Sequence, residues 1–60
     1  MTKLIKITEV AKMLGVSRSK AYQLAQSKKI PVVKIDGSVR VPEKSLVKWI
    51  QDNTHYNYED

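Results

Sequence analysis

Apolar positions along the chain fall into four groups with different spacings. Leu4-Ile5-Lys6-Ile7 alternates briefly, the pattern of a short strand or an extended lead-in. Thr8 follows as a predicted helix N-cap, with Glu9 in the first turn, where the helix dipole favours an acid. Val10, Ala11 and Leu14 recur at helical spacing, so residues 9–14 read as a short amphipathic helix. Gly15 supplies the left-handed backbone residue that ends it. Ser17 is a second cap. Residues 18–27 behind it hold neither Gly nor Pro, and Ala21, Leu24 and Ala25 make one narrow stripe, predicting a helix of about three turns. Two helices joined only by Gly15-Val16-Ser17 must cross steeply, which is a helix-turn-helix unit. Ala11 is small enough for the crossing point, and Val10, Leu14, Val16, Ala21 and Leu24 face the junction.

Pro31 is expected to close the helical region. Val32-Val33-Lys34-Ile35 and Val39-Arg40-Val41 then flank Asp36-Gly37-Ser38, and β-branched runs around Asp-Gly signal a hairpin. Two registers compete. A two-residue turn at Asp36-Gly37 pairs Ile35 with Ser38 and splits the apolar residues between faces. Pairing Ile35 with Val39 and Val33 with Val41 puts all four on one face and Lys34 and Arg40 on the other. One slip in register flips every side chain, so the apolar pattern favours the second pairing, with a three-residue loop. Pro42 opens a third helix with Glu43 in its first turn, and Leu46, Val47, Trp49 and Ile50 form its stripe through residue 52. Trp49 is expected in the core with Leu46, Ile50, Leu14 and the hairpin valines. Residues 54–60 lack periodicity and read as a flexible tail, leaving one domain over 1–53. The fold class is therefore mainly α with a small β-hairpin: helix-turn-helix, two-stranded wing, C-terminal helix, the order of a winged helix-turn-helix.

Charge changes the picture from fold to partner. The chain carries 11 Lys+Arg against 6 Asp+Glu, a net charge of +5. Residues 1–53 hold all 11 bases and only 4 acids (Glu9, Asp36, Glu43, Asp52), a net of +7. A domain this basic and this small attracts polyanions, nucleic acid above all. There is no cysteine, and lysines interrupt the apolar run at the N-terminus, so neither a signal peptide nor a membrane span is expected. The expected location is cytoplasmic and nucleoid-associated, with no membrane partner. No nucleophile–base pair, carboxylate pair, Gly-rich phosphate loop or metal cluster stands out, and His55 is alone in the tail. No enzyme activity, cofactor or metal is expected.

The run Ile7-Thr8-Glu9-Val10-Ala11-Lys12-Met13-Leu14-Gly15-Val16-Ser17-Arg18-Ser19-Lys20-Ala21-Tyr22 resembles the opening of excisionase-family and related MerR-like DNA-binding domains. Ile30-Pro31, Lys34-Ile35-Asp36-Gly37, Val39-Arg40-Val41-Pro42 and Leu46, Trp49, Ile50 are similar to that family's wing and closing helix. The resemblance spans roughly residues 4 to 52. Asp36-Gly37 departs from it where glycine is commoner at the first loop position, and Lys20-Ala21 where Thr-Val is commoner.

In such a unit the second helix, 17–27, enters the major groove with its N-terminal residues at base edges. Ser17, Arg18, Ser19, Tyr22, Gln23 and Gln26 point away from its apolar stripe. Arg18 suits a bidentate contact to guanine and Gln23 one to adenine. Ser17, Ser19 and Tyr22 suit phosphates, although Tyr22 equally suits a core edge. Lys20, Lys28 and Lys29 are expected on phosphates, with Thr8 also at the interface. On the wing, 32–41, Lys34, Ser38 and Arg40 are expected along the neighbouring backbone or minor groove. Arg40 could instead pair with Glu43 or Glu9 and lock the wing. One such module binds non-specifically at about 10⁻⁴–10⁻⁶ M, so a useful site calls for more contacts. The resemblance implies several copies binding repeats cooperatively on double-stranded DNA beside an integrase, as a recombination directionality factor. A transcription regulator or partition protein of a mobile element, and a protein-interaction adaptor on the same fold, are the alternatives.

Overall fold

The computed structural model describes residues 3–54 and arranges them as β1 (Leu4–Ile5), α1 (Ile7–Leu14), α2 (Arg18–Gln26), β2 (Val33–Ile35), β3 (Ser38–Pro42) and α3 (Glu43–Asp52). The first helix starts two residues earlier than a Thr8 cap predicts. Lys6 is its N-cap, without a side-chain cap bond, and the Lys6 carbonyl accepts from the N–H groups of Glu9 and Val10, both at 3.0 Å. Burial explains the shift. Ile7 is only 3% exposed, and a helix beginning there sets Ile7, Val10 and Ala11 on one inward face. Thr8 becomes a half-buried first-turn residue.

Both helices of the unit end in the same backbone motif. After α1, Gly15 sits at φ 67°, its N–H donates to the Lys12 carbonyl at 3.3 Å, and the Val16 N–H donates to Ala11 at 3.0 Å. After α2, Lys28 takes φ 58°, its N–H donates to Ala25 at 3.1 Å, and the Lys29 N–H donates to Leu24 at 3.0 Å. These are Schellman turns, the first built on the usual glycine and the second on a lysine. The second ends α2 at Gln26 with Ser27 as C-cap, well before Pro31, and delivers Ile30 into the core. Ser17 caps α2 as expected, its Oγ accepting the Lys20 N–H at 3.1 Å.

The sheet has three antiparallel strands in the order β1-β3-β2. The lead-in is thus a strand, pairing Leu4 with Pro42 and Ile5 with Val41. The expected three-residue hairpin loop is overturned: Ile35 pairs with Ser38, Lys34 with Val39 and Val33 with Arg40. Asp36 (φ 46°) and Gly37 (φ 82°) both lie left-handed, a two-residue type I′ turn whose twist matches the strands it joins. Turn chemistry outweighs the apolar pattern because the hairpin runs out past the core. Val32, Val39 and Val41 reach the core, whereas Val33 lies on the opposite face beside Ile35, which is 45% exposed.

Val10, Val41 and Leu46 are the largest fully buried side chains, joined by Ile5, Ile7, Ala11, Ala21, Ala25 and Ile30. Leu14, Val16, Leu24, Trp49 and Ile50 pack against this centre half-buried. Pro42 is the N-cap of α3 as well as the last residue of β3, and the Glu43 N–H donates to the Lys3 carbonyl at 2.8 Å. Val47 is 41% exposed and does not belong to the inward stripe, since it lies one position round from Leu46, Trp49 and Ile50. Asn53 is the C-cap of α3, and beyond it Thr54, expected in the tail, donates from its Oγ1 to the Ile50 carbonyl at 2.7 Å. The rest of the expected tail, 55–60, lies outside the described residues.

Candidate nucleic-acid interface

α2 is buried along one edge only. Ala21 and Ala25 face the core and Leu24 flanks them, while Ser17, Arg18, Ser19, Lys20, Tyr22, Gln23 and Gln26 are all exposed. The alanines are what allow this: with short side chains inward, the helix seats close on α1 and leaves its outer surface clear. The dipole at the α2 N-terminus adds positive potential beside Arg18 and Lys20, with no acid in that turn.

Between α2 and the wing runs a groove of about 620 Å³. Ala25, Val32 and Val39 give it apolar surface, and Tyr22, Gln26, Lys28 and Lys34 supply polar groups from both sides. Tyr22 is 49% exposed, so it borders this groove and does not seal the core. Lys28 and Lys29 are exposed at the α2 C-terminus, and the left-handed backbone of Lys28 turns the chain from helix toward wing. No sequence signal marks that turn, because the usual glycine or asparagine is missing.

The wing residues divide. Lys34 pairs with Val39, and both line the groove, whereas Arg40 pairs with Val33 and neither Arg40 nor Ser38 lines it. The expectation that Lys34 and Arg40 share one face therefore fails with the register that produced it. Arg40 is half-buried, and its Nη1 donates to the Val39 carbonyl at 2.9 Å. Among the described residues it pairs with neither Glu9 nor Glu43; the ion pair there is Lys48–Asp52, at 3.3 Å on the exposed side of α3. Thr8 sits on α1, away from the α2–wing groove lining. Among the described residues no three His, Cys, Asp or Glu side chains come together, and no helix is long and apolar enough to cross a membrane.

A helix with one buried edge, a basic outer surface and an adjoining basic hairpin is the arrangement that reads duplex DNA. The helix-turn-helix domain family model matches residues 4–54, nearly the whole described chain. An excisionase from Streptomyces ambofaciens is 41% identical over 49 residues, covering 82% of this chain and 79% of that protein. This chain belongs to the excisionase family of helix-turn-helix domains. It is a DNA-binding domain of winged helix-turn-helix type, whose third strand, β1, extends the two-stranded wing into a small sheet. No solved structure gives a significant match.

Proposed function

We propose that this excisionase-family domain binds double-stranded DNA sequence-specifically, with α2 in the major groove and the wing on the adjacent backbone and minor groove. The observation that carries this reading is the outward face of α2, where Arg18, Ser19, Tyr22, Gln23 and Gln26 are exposed together on a helix anchored by two alanines. Arg18 and Gln23 read bases, through two hydrogen bonds each to guanine and adenine. Ser17, Ser19, Lys20, Lys28 and Lys29 hold phosphates and set the register. The groove between α2 and wing, lined by Lys28 and Lys34, receives the phosphodiester strand that separates the two DNA grooves. Arg40 and Ser38 act from the far side of the wing.

The domain acts as a recombination directionality factor. Several copies bind neighbouring repeats, bend the DNA between them and turn an integrase-bound site toward excision. The likeness to a protein named excisionase supports this role over that of a transcription regulator.

Selection from a random-duplex library, followed by fluorescence-anisotropy titration at two salt concentrations, tests the reading. Wild type enriches one motif, while Arg18→Ala/Gln23→Ala keeps salt-sensitive binding and loses the enrichment. Binding no stronger than that of an unrelated basic protein ends the DNA reading. Titration of tandem motif copies tests the assembly, and independent filling of the copies contradicts cooperativity.

A further inference from the structure

The interface holds one charge of the wrong sign for a polyanion. From Ser17 to Val41 the chain carries Arg18, Lys20, Lys28, Lys29, Lys34 and Arg40, and its single acid is Asp36. That acid stands at the outermost point of the wing, in the first position of the type I′ turn. It is exposed, and among the described residues it has no salt bridge and no hydrogen-bonded side chain. A Cβ placed on the neighbouring Gly37 would meet no atom within 4 Å, so the tip is open on its glycine side. Turn geometry does not require the charge, because Asn-Gly satisfies a type I′ turn equally well.

We propose that Asp36 is a specificity-determining residue that selects a G·C pair through the minor groove. The inference rests on the proposed docking, in which the wing tip reaches that groove. A·T and T·A pairs show only acceptors there, adenine N3 and thymine O2, whereas G·C adds one donor, the guanine N2 amino group. A carboxylate over A·T faces acceptors and the groove's negative potential with no donor in reach. Over G·C, one Asp36 oxygen accepts the N2 hydrogen. The charge thus works mainly by rejection, weakening every site that lacks the amino group, which is how discrimination is obtained from a single residue. Arg18 and Gln23 read the major groove, and Asp36 adds a position one groove away that neither can reach.

Chemical substitution of single bases isolates this contact. In the motif selected by the wild type, each guanine of the flank under the wing is replaced in turn by inosine, which lacks only the N2 amino group. One replacement is expected to weaken wild-type binding about tenfold, the range of a charge-assisted hydrogen bond. Replacing the same pair by A·T weakens binding at least as much, and 2-aminoadenine opposite thymine restores it. Asp36→Asn, which keeps the turn and can donate or accept, binds the guanine, inosine and A·T versions within about twofold of one another. Equal wild-type affinity for all guanine and inosine versions overturns the proposal while leaving the DNA reading intact. So does an Asp36→Asn variant that binds every duplex more tightly with a steeper salt dependence, since that places the carboxylate beside phosphates. Failure of the wild type to select any motif overturns the docking and this inference together. Circular dichroism melting of Asp36→Asn is expected to match wild type, which separates recognition from folding.

Discussion

Gly15 and Lys28 occupy equivalent left-handed positions at the ends of α1 and α2, and they make opposite predictions. Gly15→Ala meets no steric neighbour, yet its φ of 67° is unfavourable for any residue with a Cβ. The substitution is expected to cost about 1–2 kcal/mol in denaturant unfolding. Lys28→Gly relieves the same strain and is expected to raise stability by about 0.5–1 kcal/mol, seen as a higher urea midpoint. A fall in the midpoint would mean that the lysine stem contributes packing that exceeds the backbone cost. Ser17 can be judged in the same assay: Ser17→Ala removes the acceptor of the Lys20 N–H and is expected to cost about 1 kcal/mol. A lysine with φ 58° at position 28, where glycine would fold more readily, fits the phosphate contact proposed for it.

At the level of elements, the helices were legible because each advertises its own ends. Gly15, Ser17 and Pro42 fix boundaries through local backbone chemistry, and Ala21, Leu24 and Ala25 mark the inward edge of α2 with no knowledge of the rest of the fold. What local signals could not supply was reach. Whether Val33 and Ile35 are buried depends on how far the hairpin extends past the core, and the Asp-Gly turn fixes the register regardless. The start of α1 was misplaced for the converse reason: Thr8 is a good cap, but burial of Ile7 recruits it into the helix. The candidate site inherited both outcomes, with the α2 residues exposed as expected and the wing cations split between faces. The closing helix offers the sharpest stability test. Leu46 is completely buried and anchors α3 on the core, so Leu46→Ala is expected to cost about 2–5 kcal/mol. A domain of this size has only about 3–9 kcal/mol in total. Loss of a cooperative melt for Leu46→Ala, with Val47→Ala close to wild type, is the expected calorimetric pattern.

Across the whole molecule, the bases on the two sides of the α2–wing groove form one electrostatic surface. Lys28→Ala and Lys34→Ala together are expected to lower the slope of log affinity against log salt by about 2, because each phosphate contact releases about one counterion. Lys48→Ala, whose partner Asp52 lies on α3, is expected to leave the slope unchanged. Equal effects from both variants would indicate a response to net charge alone. The pairing of β1 with β3 has a different kind of consequence. Ile5 meets Val41, and the Lys3 carbonyl accepts the Glu43 N–H, so residues 3–5 are joined to residues that leave the ribosome long after them. The two helices that carry the name of the family are consequently not expected to fold on their own. During synthesis they are expected to stay an incomplete and open assembly until β3, the central strand of the sheet, emerges. A fragment ending at Ile30 is therefore expected to be unfolded, and adding a second fragment covering residues 31–54 should restore structure by complementation.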